Sequence, residues 1–379
     1  MFWPGTVRVG ADDASVDVLD QRLLPYGEAW LTLRTLADVR AAIAGMAVRG
    51  AGLIGNVAAY GMWLAALEAV NDSSGREDAA AFPASMRRAA ESLKAARPTA
   101  GNLAWAVERQ LAVLETAGSM RDALLSLRRA ADDLARSEAG ACRGIGRHGR
   151  PLIEALARPG APVNILTHCN AGKLAFVDWG SALAPVYAAH EAGIALHVWV
   201  DETRPRNQGA RLTAWELAAN GVPHSLIVDS AGGHLMRRGL VDMVIVGADR
   251  VTRRGDVANK IGTYLKALAA RDNNIPFYVA LPASTFDLAL LSGDDIPIEE
   301  RDGEEVRRIS GKTDDGKIVE ALICPEATPA RNWAFDVTPA ALVTALVCEY
   351  GVCRADEAAI AAMLDGRPVE RGPESCEFP

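Results

Sequence analysis

A two-part α/β chain, with a small sheet and helical bundle followed by a Rossmann-like, doubly wound parallel-sheet domain, is predicted by three features of the sequence. From about residue 160, short and fully apolar β-branched runs alternate with helical segments, the pattern of parallel strands covered on both faces by helices. Before about residue 140 the apolar residues instead recur at the three-and-four spacing of amphipathic helices. At 379 residues the chain is long for one hydrophobic core, so it divides into an N-terminal domain, 1–140, and a Rossmann-like domain, 141–379.

Taken in order, TVRVG and SVDVLDQRLL alternate as strands do, and TLADVRAAIAGMAVRG opens the helical region. AGLIGNVAAYGMWLAALEAV, residues 51–70, is nearly uncharged over about a membrane span, but its three glycines, Asn56 and Glu68 specify a buried helix with close backbone packing. EDAAAFPASMRRAAESLKAA and MRDALLSLRRAADDLARSEAGACRG continue the helical pattern. From about residue 160, VNILTHC leads to the helix GKLAFVDWGSALAPVYAAHEAG, LHVWVDET to ARLTAWELAANG, SLIVDS to GHLMRRG, and VDMVIVGADRV to DVANKIGTYLKALAARDN, before PFYVAL. These helices tend to end at Gly or Asn, which stop helices. Residues 284–336 read as an irregular, acidic connection, and TPAALVTALVCEYG, 338–351, as a final amphipathic helix.

Composition narrows the function. With 50% hydrophobic and 23% charged residues the chain is globular, and a net charge of -8 with scattered arginines offers no field for a nucleic acid to follow. The six cysteines, Cys142, Cys169, Cys324, Cys348, Cys353 and Cys376, show neither a CxxC pair nor zinc spacing, so a reduced, cytoplasmic protein is expected. The first residues lack the basic end and apolar block of a secretory signal. Neither nucleic acid nor membrane is expected as a partner.

In open parallel sheets ligands bind beyond the carboxyl ends of the strands. Those positions hold Thr167-His168-Cys169-Asn170, Asp201-Glu202-Thr203-Arg204, Asp229-Ser230 and Gly247-Ala248-Asp249-Arg250. Generic turn residues would suffice there structurally; a thiol, acids and an arginine on successive loops point to chemistry. Phosphate-holding elements flank them. MAVRGAG sets Arg49, Gly50 and Gly52 before a helix, whose free N–H groups favour an anion. ANKIG brings Asn259 and Lys260 near the start of another helix, and Arg97 and Arg204 add guanidinium forks. GIGRHG, 144–149, satisfies GxGxxG, but no strand precedes it and no strand with a terminal acid follows, so no dinucleotide site is expected there. Neighbouring strand residues face opposite sides; with Cys169 facing the site, His168 points into the helix layer.

RGAGLIG, RPTAGNL, ILTHCNAGKLA, DETRPRNQGARLTAWEL, VGADRVTRRGDVANKIGTY, IPIEERD and NWAFDVTPA together resemble the signature segments of the methylthioribose-1-phosphate isomerase family, a resemblance that runs from about residue 20 to residue 351. That family shares a superfamily with regulatory subunits of the translation-initiation factor that exchanges guanine nucleotide. The resemblance implies a small N-terminal domain on a Rossmann-like domain, a homodimer, and no metal or organic cofactor. Carried over motif by motif, it implies that Arg49, Gly50, Ala51, Arg97, Gln208, Asn259 and Lys260 contact the sugar phosphate. Asp249 of GADR would be the catalytic acid, and Cys169 of HCNAG its partner across the substrate.

An aldose phosphorylated on its anomeric oxygen has no free aldehyde, so isomerisation must begin with protonation of the ring oxygen. Asp249 can supply that proton only if an apolar setting raises its pKa. C2 then passes a hydride to C1, which needs a desolvated pocket, or loses a proton to a base, for which a thiolate at a helix N-terminus is a candidate. The substituent end departs from the family pattern. Gly52 stands where the family commonly has proline, Gly101 where it has valine, Lys173 where it has a small residue, and DSAGG, 229–233, where it has D-N-M-A-G. A 5-deoxy-5-substituted ribose 1-phosphate is therefore the expected substrate, methylthio by default, hydrogen or halogen as alternatives. Two rival readings stay open. A non-catalytic regulatory subunit would have no need of a cysteine and acid facing a phosphate clamp, and an NAD-dependent enzyme would need the strand context that GIGRHG lacks.

Overall fold

The computed structural model describes residues 5–72, 81–97 and 101–365. Cys376, residues 77–80 of the EDAAAF stretch and Pro98–Ala100 of RPTAGN lie outside them. Two compact units emerge: Met1–Leu23, Gly27–Gly140 and Lys173–Gly180 in the first, Leu24–Tyr26, Ala141–Gly172 and Ser181–Pro379 in the second.

In the first unit β1 (Val7–Val9), β2 (Val16–Leu19) and β3 (Trp30–Leu33) form an antiparallel sheet. Helix α1 (Leu36–Ala44) starts at a capping box, in which the Thr35 hydroxyl accepts from Asp38 N–H and the Asp38 carboxylate from Thr35 N–H. Helices α2 (Ala51–Asp72), α3 (Phe82–Lys94), α4 (Gly101–Glu115) and α5 (Met120–Glu154) complete the unit, with α5 running on into the second. Helix α2 is long and apolar enough to cross a membrane, yet 78% of its apolar window is buried. Leu53, Val57, Met62 and Leu64 are wholly enclosed with Ile43, Leu93 and Leu103. Each such side chain contributes roughly 1.5–3 kcal/mol by leaving water, which explains why this stretch is a core helix.

The second unit is built on β4 (Val163–Thr167), α6 (Leu183–Glu191), β5 (Leu196–Asp201), α7 (Ala214–Ala219), β6 (His224–Ile227), α8 (Ala231–Arg237) and β7 (Met243–Val246). It continues through β8 (Arg250–Thr252), β9 (Val257–Lys260), α9 (Thr263–Asp272), β10 (Phe277–Ala280) and β11 (Phe286–Asp287). Then come α10 (Glu304–Arg307), β12 (Arg308–Lys312), β13 (Ile318–Leu322), β14 (Phe335–Thr338), β15 (Ala345–Cys348), β16 (Gly351–Cys353) and α11 (Glu357–Leu364). The main sheet has the order β16-β15-β10-β7-β4-β5-β6, parallel except at β16. From β4 the chain builds outward through β5 and β6; from β7 it builds the other way through β10 and β15. The order therefore reverses between β4 and β7, the switch point at which such sheets bind ligands. A smaller sheet, β11-β8-β9-β14, and the β12–β13 hairpin carry the later segments.

Three expectations change. No helix starts at Gly172: a 3₁₀ turn spans Lys173–Ala175, the chain bends through Trp179 (φ +63°) and Gly180 (φ +81°), and α6 begins only at Leu183. Cys169 is thus not at a helix N-terminus, and the dipole expected to act on its thiol is absent. TPAALVTALVCEYG is not a helix either, because ALVC is apolar on both faces and is taken up as β15 between β10 and β16; the last helix, capped by Asp356, is α11. Asn259 and Lys260 lie on strand β9, and α9 follows only after Gly262, at φ +101°. GIGRHG lies inside α5, its glycines admitting Glu349 at Gly144 and Pro185 at Gly149.

Candidate active site

At the switch point β4 ends in Thr167, whose hydroxyl donates to the Ile245 carbonyl of β7 at 2.8 Å. The next residue, His168, is 1% exposed. Its Nδ1 lies 2.8 Å from Asp201 Oδ2 and its Nε2 2.8 Å from the Ile261 carbonyl. Cys169 turns the other way from a left-handed backbone, φ +65°. Its N–H donates to Thr203 Oγ1 at 2.8 Å, its carbonyl accepts from Thr213 Oγ1 at 2.7 Å, and its thiol donates to Gln208 Oε1 at 3.4 Å. Gln208 can come this close because Gly209 opens a single π-helical turn, Gly209–Thr213, a local form often found at functional sites. A Cβ on Gly209 would stand 1.7 Å from the Asp201 carbonyl oxygen.

Behind the thiol lies a buried ionic cluster. Lys266 Nζ sits 3.1 Å from Asp201 Oδ2 and donates to the Asp229 carbonyl. The Asp229 carboxylate accepts from the N–H groups of Thr203 and Arg204, each at 2.7 Å. His168, Asp201 and Asp229 offer ligand atoms within 4.8 Å of one another, but the Lys266 ammonium already supplies positive charge on Asp201, so these donors form an ion-pair cluster. On the far side of Cys169, Asn170 donates to Glu216 at 2.8 Å and Tyr187 to the same carboxylate at 3.0 Å. Burial, with the nearby Asp229 carboxylate, pushes the Glu202 carboxyl above its usual range. Burial likewise raises that of Asp336, against the N–H groups of Gly262 and Tyr264 that it accepts.

Asp249 follows β7. Its N–H donates to the Ala258 carbonyl at 2.9 Å, which sets it beside the residue preceding Asn259 and Lys260. A Cβ on Gly247 would lie 2.6 Å from Ala171 Cβ, so the loop bearing Asp249 packs on the loop bearing Cys169 two residues away on each. Asn259 is buried and donates to Thr263 Oγ1, and Lys260 Nζ donates to the Ala334 carbonyl and stands 4.3 Å above the Phe335 ring. The second unit therefore gathers Cys169, Gln208, Asp249, Asn259 and Lys260. Arg204, expected as a phosphate fork, is not one: its guanidinium donates to the carbonyls of Pro205 at 2.6 Å and Val306 at 2.7 Å. It fastens the loop to α10.

The first unit holds the other group. Arg49 is buried, Gly50 takes φ +91° with Ala175 backbone 2.5 Å from where its Cβ would be, and Ala51 opens α2. At Gly52 a Cβ would meet Glu138 Oε1 at 2.0 Å and the Phe176 ring at 2.4 Å. Arg97 donates to Met46 Sδ at 3.3 Å. The sequence points to Thr203 and Asp229 only as strand-end positions, without their supporting contacts, and does not single out Lys266. For Lys266 a signal existed: it shares the buried helical spacing of Thr263, Ala267 and Ala270.

A doubly wound sheet with a buried thiol and an acid-bearing loop at its switch point defines the class. The model of the Initiation factor 2 subunit family matches residues 47–355, and the chain belongs to that family. Within it, the chain is 54% identical to the methylthioribose-1-phosphate isomerase of Methylorubrum populi, over 96% of each chain. Among solved structures it resembles the 5-methylthioribose 1-phosphate isomerase of Pyrococcus horikoshii OT3, at 38% identity, TM-score 0.82 and 96% of both chains. It also resembles translation initiation factor eIF-2B, subunit delta, from A. fulgidus, at 37% identity and TM-score 0.78, over 96% of this chain and 100% of the other.

Proposed function

We propose that this chain is an aldose–ketose isomerase that converts 5-methylthioribose 1-phosphate to the corresponding ribulose 1-phosphate by ring opening and transfer of hydrogen from C2 to C1. The sugar-phosphate isomerase activity rests on the relatives above 50% identity over nearly the whole chain. The observation that carries the assignment of roles is the packing of the Asp249 loop on the Cys169 loop at the switch point. In this reading Asp249 protonates the ring oxygen, and Cys169, with Gln208 on its thiol, faces the opened C1–C2 unit. Arg49, the Gly50 and Ala51 backbone, Arg97, Gln208, Asn259 and Lys260 bind the phosphate and the charge that the opened sugar shares. No metal or organic cofactor takes part; the protein works in the cytoplasm as a homodimer. Phe176 and Glu138, filling the space over Gly52, are the residues to which we assign this chain's choice of C5 substituent, methylthio by default, with 5-deoxy and 5-halo sugars as the alternatives.

Turnover of 5-methylthioribose 1-phosphate by the purified protein, and its loss by about 10²–10⁴-fold in Asp249→Asn, is the expected result. No turnover in the parent would leave the regulatory-subunit reading, which the likeness to the A. fulgidus chain favours. A panel of C5 analogues tests the pocket; preference for a 5-hydroxyl or 5-phosphate sugar would overturn it. Deuterium at C2 that is retained at C1 marks a hydride shift, and washout to solvent marks a base.

A further inference from the structure

Cys169 and Thr203 both hold left-handed backbone conformations, φ +65° and +63°. For a β-branched residue this is a true outlier, and it persists only where the surroundings over-determine it. The surroundings here do so through one hydroxyl. Thr203, wholly buried, accepts from the Cys169 N–H at 2.8 Å and donates to the Asp201 carbonyl at 3.0 Å. That same carbonyl is the surface against which Gly209 is pressed, with no room for a Cβ, so that Gln208 reaches the thiol. One oxygen atom at the end of β5 is thus the common abutment for both members of the Cys169–Gln208 pair. Thr203 in turn is fixed by its N–H on Asp229, and Asp229 by its carbonyl on Lys266, which also lies against Asp201 beside His168. The support closes through β4, β5, β6 and α9.

We propose that Thr203 is a positioning residue that sets the Cys169 thiol on Gln208, and that Asp229 acts through it by locking its backbone. The proposal rests on the reading of Cys169 as part of the isomerase site. It extends that site to two residues that need not touch substrate.

Thr203→Val keeps the shape and removes the hydroxyl; Thr203→Ser keeps the hydroxyl and removes the branch. Two readouts apply to each: the pH profile of Cys169 alkylation by iodoacetamide, followed on the Cys169 peptide by mass spectrometry, and kcat and KM for 5-methylthioribose 1-phosphate. Thr203→Val should change the alkylation rate by about tenfold and lower kcat by about thirtyfold with KM within about threefold, as loss of reacting geometry does. Thr203→Ser should stay within about threefold of the parent in both, and Asp229→Asn should move in the direction of Thr203→Val. An unchanged alkylation profile and kcat in Thr203→Val overturns the proposal, as does a Thr203→Ser that behaves like Thr203→Val. Should Thr203→Val not fold, an unchanged Asp229→Asn overturns it instead. Absence of turnover in the parent would sink the isomerase reading alone, because the alkylation profile decides the positioning role without any substrate.

Discussion

Two turns carry the proposed chemistry, and they meet the same backbone requirement in opposite ways. The Arg49-Gly50-Ala51 turn needs a left-handed residue and uses glycine, with Ala175 occupying the space a side chain would take. The turn after β4 needs one too, and uses cysteine, stabilised by a second left-handed residue that is β-branched. The difference lies in what each turn presents. In the first, the proposed reading has the ligand meet backbone N–H groups, and a side chain at Gly50 would obstruct them. In the second, the side chain is the working part on the proposed reading, and the unfavourable φ is offset by a network of the buried Asp201, Lys266 and His168 with the half-buried Asp229.

The strongest way to break this contrast is to remove the network's centre. Asp201→Ala takes away the carboxylate shared by Lys266 and His168, and should cost about 3–5 kcal/mol in denaturant unfolding, as broken buried ion pairs do. Next comes Gly50→Ala, whose Cβ has neither an allowed φ nor space; about 2–4 kcal/mol is expected from strain and overpacking together. A smaller effect sharpens the distinction: Cys169→Gly should be more stable than Cys169→Ala by about 1 kcal/mol, the reverse of the usual order within regular structure, because glycine relieves the left-handed strain. Equal or inverted stabilities would show that Cys169 is not strained.

The smallest effect concerns the outer fastening of the Thr203–Gln208 loop. Burial pushes the Glu305 carboxyl up, but hydrogen bonds from Arg301 and Arg206 outweigh this and hold it at about 2. A depressed carboxylate stabilises the fold above its ordinary value of 4.5 and loses that contribution as pH falls toward about 2. The protection factors of the amides of residues 299–308, with exchange corrected for its intrinsic rate at each pH, should therefore fall across that window, by an amount equivalent to about 1 kcal/mol after solvent screening. Glu305→Gln should abolish this pH dependence of the protection factors.

Much of this was readable before any coordinates. Apolar β-branched runs marked the parallel strands because both faces are buried, and their last residues marked the site because such sheets bind ligands there. Cys169, Gln208 and Asp249 came from motifs, which name residues but not their conformations. No periodicity reports that Cys169 and Thr203 sit at positive φ, or that Arg204 is taken up by carbonyls of α10. ALVC was misread because a four-residue apolar run is consistent with either element until its neighbours on both sides are known. Lys173–Gly180 was misread because helical spacing alone does not reveal that the chain leaves one unit for the other.

That excursion bears on how the gene can be cut. Lys173–Gly180 lies between two stretches of the second unit yet completes the first: the Thr6 hydroxyl donates to the Phe176 carbonyl, Thr6 N–H to Val177 and Gln21 Nε2 to Leu174. A fragment ending at residue 140 would lack these acceptors, and one beginning at 141 would carry Phe176 with nowhere to bury it. No single crossover can move either unit intact into another protein, so recombination must inherit the two together or not at all.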